Sequence, residues 1–339
     1  MQSAVSANKK LSGKVTSLND LCAAFKKYDN YLLSCHISPE GDAIGSILAI
    51  DSLLRRLNKK TTVVCEDPFP ERLSCLSSKR WNQVSAIKKS PKAFKALVVA
   101  DCPNLDRIGK VKDLITPDTI IFNIDHHISN VFFGKYNYVL PQAAASGEVV
   151  MDIFHHLKFK VNKDEATNLY VALSTDTGSF KHGNTTVKCH QMAAELIGTG
   201  INLEKINEEL YATYSLNKIN LYSRLLSRVK TADGGRVAWV AMKKEDLNHS
   251  GAFYEDTEGF IDFLKYIKEV KVAFFMSELP NQHEVRVSFR SKEAYDVNKV
   301  ATYFNGGGHK KASGCTIHGS LEDAEKMILE RLRKECKFS

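Results

Sequence analysis

Four short segments of the sequence carry acidic or imidazole side chains directly after apolar runs. Each segment combines carboxylates, histidines or both within a few residues, and such side chains are the usual oxygen and nitrogen ligands of metal ions. A cluster of carboxylates repels itself strongly unless divalent cations neutralise it. The segments are HISPEGD (36–42), ADCPNLD (100–106), DHHISN (125–130) and STDTG (174–178).

The donors in these segments indicate a particular kind of metal chemistry. Mixed imidazole and carboxylate ligands favour Mn²⁺ or a related transition metal over Ca²⁺, and their number suits two ions. Two ions about 3.5–4 Å apart can clamp the oxygens of a phosphoryl group during in-line attack. Taken singly, an Asp after a strand often caps a helix, and a lone His is usually a surface or core residue. The four segments together predict a two-metal centre that hydrolyses phosphoester or phosphoanhydride bonds.

The elements that must position these side chains follow from the hydrophobic pattern of the first half of the chain. Apolar runs at 31–36, 61–65, 96–101 and 119–125 alternate with helical patterns. Runs without polar alternation are typical of parallel strands that are buried on both faces. Ligands of open parallel sheets lie beyond the carboxyl ends of the strands, which is where the polar segments fall.

The second half of the chain has a separate pattern, and 339 residues are more than one hydrophobic core usually serves. A polar helical stretch is followed by predicted strands at 236–242, 270–278 and 284–290. We therefore predict a two-domain α/β protein with an active-site cleft between the domains. Its parts are an N-terminal domain with a doubly wound, mainly parallel sheet (1–190), a helical connector (191–228) and a smaller C-terminal α/β domain (229–339).

Composition gives weaker indications about partners and location. The chain has 47 Lys and Arg against 39 Asp and Glu, a net charge of +8 that mildly favours polyanionic partners. Its eight cysteines include no CxxC pair, which is typical of reduced intracellular thiols. We find neither a secretion signal nor an apolar stretch that spans a membrane. These features predict a cytoplasmic protein that does not bind membranes.

The glycine-rich stretch NGGGHKKASG (305–314) is a second candidate site. Successive glycines allow the backbone to approach an anion closely, and we expect a helix to begin after them, with its N-terminus favouring negative charge. A flexible turn is the commoner meaning of a glycine cluster, but the flanking basic residues favour a grip on phosphate or nucleotide. The residues of this predicted grip are Arg290, Ser291, Gly306, Gly307, Gly308 and His309.

In the order and content of these motifs, the sequence resembles the DHH phosphoesterases, a family named for the triplet that stands here as Asp125, His126 and His127. The resemblance covers nearly the whole chain, because VSFRS (287–291) and GGGHKKASG (306–314) resemble the DHH-associated C-terminal domain. Within the family, the spacing is most similar to the hydrolases of very short RNA and of 3′-phosphoadenosine 5′-phosphate (pAp).

The resemblance implies two metal sites that share the carboxylate of Asp101. One ligand departs from the family pattern, because Glu40 stands where aspartate is more usual. We expect Glu40 still to bind the metal, since its longer side chain can reach from a more distant backbone. The implied ligands are His36, Glu40 and Asp101 for one ion, and Asp42, Asp101, His126 and Asp176 for the other.

The resemblance also implies roles in catalysis and substrate binding. His127 would face the substrate phosphate, Asp125 would orient the imidazoles, and Asn130 would contact the substrate near the scissile phosphate. Two further departures stand after the last motif, where Lys181 replaces an expected arginine and His182 an expected aromatic residue. Lysine keeps the charge of arginine but lacks its bidentate fork.

The implied activity is a phosphodiesterase with two Mn²⁺ ions, for which Mg²⁺ or Co²⁺ are substitutes. It would release nucleoside 5′-monophosphates from short single-stranded RNA or dinucleotides, with pAp as a second substrate. One alternative is hydrolysis of linear or cyclic dinucleotides such as pApA and cyclic di-AMP, and a more distant one is cleavage of pyrophosphate or polyphosphate. Another class is a nucleotide sensor without catalysis, which the complete ligand set disfavours. A homodimer is one assembly that the resemblance allows.

Overall fold

The computed structural model of the protein describes residues 15–87, 94–212, 214–279, 283–292 and 295–336. The chain divides into two compact units between residues 213 and 214. This division lies inside the predicted helical connector (191–228), whose limits stay a prediction. No helix in the described ranges is long and apolar enough to cross a membrane.

The first unit is built on a six-stranded parallel sheet. All four predicted strands are confirmed, and none differs from its predicted limits by more than two residues. Two short strands, one after the second predicted strand and one after the fourth, were not predicted. The strands are β1 (Tyr31–Ser34), β2 (Thr61–Cys65), β3 (Trp81–Gln83), β4 (Ala96–Ala100), β5 (Ile120–Asp125) and β6 (Tyr136–Val139). Every neighbouring pair in the order β3-β2-β1-β4-β5-β6 is parallel.

Both faces of this sheet are covered, which explains why its central strands are continuously apolar. One face packs against helices, and the other against a 3₁₀ segment, Leu105–Leu114, that supplies Ile108 and Val111 to a smaller core. All residues of β1 and β4 are buried. The helices of this unit are α1 (Leu18–Lys27), α2 (Gly41–Arg56), α3 (Ser146–His156), α4 (Lys163–Asp176), α5 (Val187–Gly198) and α6 (Leu203–Tyr211).

The strand order places a topological switch point between β1 and β4. From β1 the sheet extends through β2 to β3 on one side, and through β4 to β6 on the other. Crevices at such switch points, beyond the carboxyl ends of the strands, are where ligands of open α/β sheets bind. His36 lies two residues beyond β1, Asp101 directly follows β4, and Asp125 ends β5. The topology therefore brings the predicted motifs to one edge of the sheet.

The second unit contains a six-stranded mixed sheet, so the predicted two-domain α/β class is confirmed. Its strands are β7 (Lys230–Ala232), β8 (Val237–Met242), β9 (Val272–Glu278), β10 (Glu284–Ser291), β11 (Gly307–His309) and β12 (Ala312–His318), in the order β11-β12-β10-β9-β8-β7. Only the pair β8 and β9 is parallel among these described strands. The helices are α7 (Leu216–Leu226), α8 (Lys244–Ser250), α9 (Phe260–Tyr266), α10 (Val297–Tyr303) and α11 (Leu321–Glu335).

The prediction that a helix begins after the glycine run is wrong, because this stretch forms a β-hairpin. Gly307 of β11 pairs with Gly314 of β12, and His309 pairs with Ala312. A Cβ atom on Gly306 would lie 2.2 Å from the carbonyl oxygen of Gly314, so a larger residue does not fit there. The glycines thus allow two backbones to pack closely, and no helix N-terminus is available for an anion.

Candidate metal centre

The six predicted metal ligands of the first unit meet at the carboxyl-terminal edge of its sheet. They come from the loops after β1 and β5, from the residue after β4, from the start of α2 and from the end of α4. Together with one further histidine they form three groups whose donor atoms lie within 4.8 Å of one another. The groups are His36, Glu40 and Asp101; Asp42, His126 and Asp176; and Asp101, His126 and His127.

The carboxylate of Asp101 lies between two of these groups. Its Oδ2 atom is 3.5 Å from Nε2 of His36, and its Oδ1 atom is 3.6 Å from Nε2 of His126. The hydroxyl of Ser146 donates a hydrogen bond of 3.0 Å to Oδ1. Asp101 has a φ of 54°, in the left-handed region that aspartate and asparagine adopt more readily than most residues. This geometry suits a carboxylate that bridges two ions, with one oxygen directed to each.

Asp42 is held in place by the first turn of another helix. It lies fully buried in the first turn of α2, and its Oδ2 atom is 3.8 Å from Nε2 of His126. The backbone amides of Ser146 and Gly147 donate to its two oxygens at 2.6 and 2.9 Å, and Ser46 donates at 3.0 Å. These supporting residues were not predicted. Ser146 begins α3 without acting as its cap, so a search for helix-capping residues does not find it.

Glu40 differs from the other acidic ligands in its exposure. It is the N-cap residue of α2, and its side chain is 57% exposed, whereas Asp42 and Asp101 are buried. Its Oε1 atom lies 3.8 Å from Nε2 of His36, so the longer side chain does reach this group. The site around His36 therefore has one solvent-exposed ligand.

The electrostatics of the cluster favour bound cations. Burial, followed by the nearby charges of Asp101 and Asp176, raises the pKa of Asp42 well above its usual value. Burial also raises the pKa of Asp176 to about 6, with His126 opposing and Asp101 adding to the shift. Carboxylates crowded in this way are stabilised as anions when divalent cations sit between them. The nitrogen and oxygen donors contain no thiolate, which fits Mn²⁺ and similar ions.

Asp125 and His127 form a dyad, although His127 also belongs to the third group, with its Nδ1 atom 3.6 Å from Oδ1 of Asp101. Nδ1 of His127 lies 2.7 Å from Oδ1 of Asp125, and because a carboxylate only accepts hydrogen bonds, Nδ1 carries the hydrogen. The hydrogen bond to Asp125 raises the pKa of His127, and burial opposes this shift. Asp125 is fully buried, but the His127 side chain is 33% exposed. Its Nε2 atom is therefore the nitrogen available to a substrate.

Asn130 lies behind this dyad, an arrangement that differs from the predicted contact with substrate. Its side chain is buried, and its amide nitrogen donates to Oδ2 of Asp125 and, at 2.8 Å, to Oδ1 of Asn123. Its carbonyl oxygen accepts a hydrogen bond of 2.7 Å from the backbone amide of Phe132. Both the nitrogen and the oxygen of the Asn130 side chain are therefore hydrogen-bonded within the protein. Asn130 acts on the site by positioning Asp125.

We expect Asn130→Ala to lower the free energy of unfolding by about 2 kcal/mol, because a buried carboxylate loses a charge-assisted hydrogen bond. Urea denaturation of the apo-protein measures this change. Asn19→Ala, the same substitution at an exposed position of α1, is the matched control and should be close to neutral. Equal stability of the two variants would mean that Asn130 does not support Asp125.

The residues predicted to grip the substrate in the second unit have mixed surroundings. Arg290 and the three glycines line one cavity of about 720 Å³. His309 is exposed on β11. Ser291, in contrast, is buried, and its hydroxyl donates to the carbonyl oxygen of Tyr295 at 2.7 Å. Ser291 therefore stabilises the loop after β10. Its hydroxyl hydrogen is already donated within the protein and is not free for the predicted contact with substrate.

A doubly wound parallel sheet with a cluster of aspartates and histidines at its switch point is typical of metal-dependent phosphoesterases. Comparison with known families identifies the class directly. The DHH family, N-terminal domain, matches residues 30–173, and the DHHA1 domain matches residues 234–337. The chain belongs to the DHH family.

Relatives with similar sequences span almost the whole chain. The bifunctional oligoribonuclease and PAP phosphatase NrnA of Thermus thermophilus is 30% identical over 304 residues, which cover 89% of each chain. The protein of the same name from Bacillus subtilis is 28% identical over 321 residues, covering 93% of this chain and 98% of that one. The fold is also similar to the crystal structure of an exopolyphosphatase-related protein from Bacteroides fragilis, with a TM-score of 0.86, 26% identity, and coverage of 95% and 97%.

Proposed function

We propose that this chain is a metal-dependent phosphodiesterase that hydrolyses short oligoribonucleotides to nucleoside 5′-monophosphates and also dephosphorylates pAp. The observation that carries this proposal is the carboxylate of Asp101, which lies between two groups of histidine and acidic side chains. The names of the Thermus and Bacillus relatives support the substrate class.

We infer that two Mn²⁺ ions occupy the cluster, with Mg²⁺ or Co²⁺ as substitutes. His36, Glu40 and Asp101 would hold one ion. The other would be held by Asp42, Asp101, His126 and Asp176. When bound, such ions supply positive charge that stabilises phosphoryl oxygens and lowers the pKa of water. The amides of the first turn of α3 and the hydroxyl of Ser146 keep the two aspartates in position for this task.

His127 is the residue that we expect to contact the scissile phosphate. The hydrogen on Nδ1 is donated to Asp125, so Nε2 faces outward and, when protonated, donates to a phosphoryl oxygen. Asp125 stabilises the resulting imidazolium and fixes the ring, as a buried carboxylate does for a catalytic histidine in other hydrolases. Asn130 in turn holds the second oxygen of Asp125. The chain Asn130–Asp125–His127 thus orients one proton donor.

The cavity of the second unit supports a nucleotide substrate over pyrophosphate. Its volume of about 720 Å³ lies in the range of sites for drug-sized and cofactor-sized ligands. Pyrophosphate would fill a small part of it. The same cavity does not separate short RNA from linear or cyclic dinucleotides, which therefore remain the rival substrates. The cleft between the domains, a cytoplasmic location and a homodimer stay predictions.

A substrate panel tests the proposal. We expect kcat/KM to be highest for RNA of two to five nucleotides, clearly measurable for pAp, and at least about tenfold lower for long RNA, cyclic di-AMP and pyrophosphate. The assays use purified protein with Mn²⁺ and Mg²⁺ side by side. A preference for cyclic di-AMP or pyrophosphate would replace the proposed substrate. Nucleotide binding without hydrolysis in either metal would identify a sensor.

A further inference from the structure

A groove on the second unit runs along one face of β10. Side chains that alternate along this strand share a face with their partners on β12, so Arg286 pairs with Thr316, Ser288 with Gly314, and Arg290 with Ala312. All six residues line the 720 Å³ cavity. We call this surface the β10 groove. Only Arg290 of these six was predicted as a substrate contact.

The side chains that line the cavity are positive or neutral, but Arg286 and Arg290 also border a neighbouring cavity that contains Glu255 and Glu258. None of the residues that line the cavity is acidic. Arg286 is exposed and forms no ion pair within the described ranges. Arg290 lies 3.9 Å from Asp262, but both side chains are about one-third exposed, and an ion pair of this kind contributes little. Both guanidinium groups are therefore available to an anion.

The spacing of the two arginines limits which anions can engage both. They stand four residues apart on one strand, which separates their Cα atoms by about 13 Å. Strand side chains project roughly perpendicular to the sheet, so the guanidinium groups keep a similar separation. The floor between them is formed by the small residues Ser288 and Gly314, which leave room for a chain to pass. The two phosphates of pAp, or of a 5′-phosphorylated dinucleotide, are closer together than this separation, so a longer strand matches the two arginines better.

We propose that the β10 groove binds the sugar-phosphate backbone of single-stranded RNA and that Arg286 determines the preference for substrate length. This inference rests on the proposed function and adds a specificity residue to it. Arg290 holds a phosphate of every substrate, whereas Arg286 contacts a phosphate that only strands of three or more nucleotides possess. Dinucleotides and pAp bind without Arg286.

Binding at several salt concentrations tests this role without catalysis. The full chain is titrated in EDTA with 5′-phosphorylated oligoadenylates of two and five nucleotides. Each phosphate contact with a single strand adds about 0.7 to the slope of log K against log salt. Arg286→Gln should weaken pentanucleotide binding about tenfold and reduce that slope by about 0.7, because one charged contact is lost. Binding of the dinucleotide should stay unchanged.

Arg333→Gln is the matched control, because it removes the same charge from an arginine that is paired with Asp233 and does not line the cavity. It should change neither affinity nor slope. Equal losses for both lengths in Arg286→Gln, or no loss for either, would overturn the proposal, as would a wild-type protein that binds no pentanucleotide. A protein that shows the length-dependent effect but hydrolyses nothing in the substrate panel would retain the groove and lose the proposed function.

Discussion

Asp101→Asn is expected to lower kcat for a dinucleotide by at least about a thousandfold and to remove the tight binding of both ions together. The physical reason is the position of its two oxygens, one beside His36 and the other beside His126. An amide supplies only one neutral oxygen and cannot bridge. Asparagine keeps the shape of aspartate and tolerates the left-handed backbone at this position, so the fold should be retained.

The stability of the Asp101→Asn variant separates a metal ligand from a structural residue. The apo variant should fold but melt at or somewhat below the wild-type temperature, because, against the effect of burial, the hydrogen bond from His36 and the charges of His126 and His127 hold the pKa of Asp101 below its usual value. We expect Mn²⁺ to raise the melting temperature of the wild type, and this rise should be lost in the variant, since ions stabilise only the state that binds them. Thermal melts with and without Mn²⁺, together with the bound metal content, measure both effects.

Asp106→Asn serves as the control for the same substitution, because this aspartate is 86% exposed and pairs with Lys112 away from the ligand groups. It should keep wild-type activity and metal content. An Asp101→Asn variant that still binds two ions with wild-type affinity would exclude the bridging role.

Asp125→Asn is expected to lower kcat by about a thousandfold while leaving KM and metal content close to wild type. Neither oxygen of Asp125 belongs to a ligand group in the described residues, because Oδ1 accepts from His127 and Oδ2 from Asn130. The amide of asparagine presents a donor toward Nδ1 and favours the tautomer with hydrogen on Nε2. Single-turnover rates with a dinucleotide, compared with Mn²⁺ titrations, measure the two properties separately.

A double-mutant cycle shows whether Asp125 acts through His127. His127→Gln alone should lower kcat to a similar extent, and the double variant should lose little more, because residues that act as a unit are not additive. His155→Gln is the control. His155 is an exposed residue of α3 that pairs with Glu195 of α5, so its replacement should leave kcat unchanged. Additive losses in the double variant would mean that the two residues act independently.

The hydrophobic pattern was sufficient to predict the central strands because these are continuously apolar. β1 and β4 are buried over their full length, and the residues alone predicted where each begins, although β1 ends two residues and β4 one residue earlier than predicted. The edge strands carried no such signal. β3 has only three residues, and β6 includes the polar Asn137, which lies buried and forms local hydrogen bonds. Short edge strands depend on their neighbours rather than on their own composition.

Side-chain direction explains why some site residues were predicted less well than others. The predicted ligands follow from residue type and, for His36, Asp101 and His126, from a place just after a strand. The segment of Asp176 was also expected at a strand end, but it ends helix α4, and the structure still brings all six side chains together. Asn130 and Ser291 have residue types that suit substrate contacts equally well, but their hydrogen bonds go to Asp125 and Tyr295 inside the protein. The glycine run is compatible by composition with either a hairpin or a turn before a helix. Only the register with β12 distinguishes the two.

Because β4 lies between β1 and β5, the predicted ligands come from distant parts of the chain and appear at different times during synthesis. The ligands extend from position 36 to position 176, and the shared carboxylate of Asp101 follows the strand inserted in the middle. During synthesis, the second ion site lacks Asp176 until about half of the chain has left the ribosome. Loading of the proposed second ion would thus come after the strands of the sheet have been made. Ions that bind only the native state stabilise it by mass action, so the proposed ions should make the stability of the folded protein depend on metal supply.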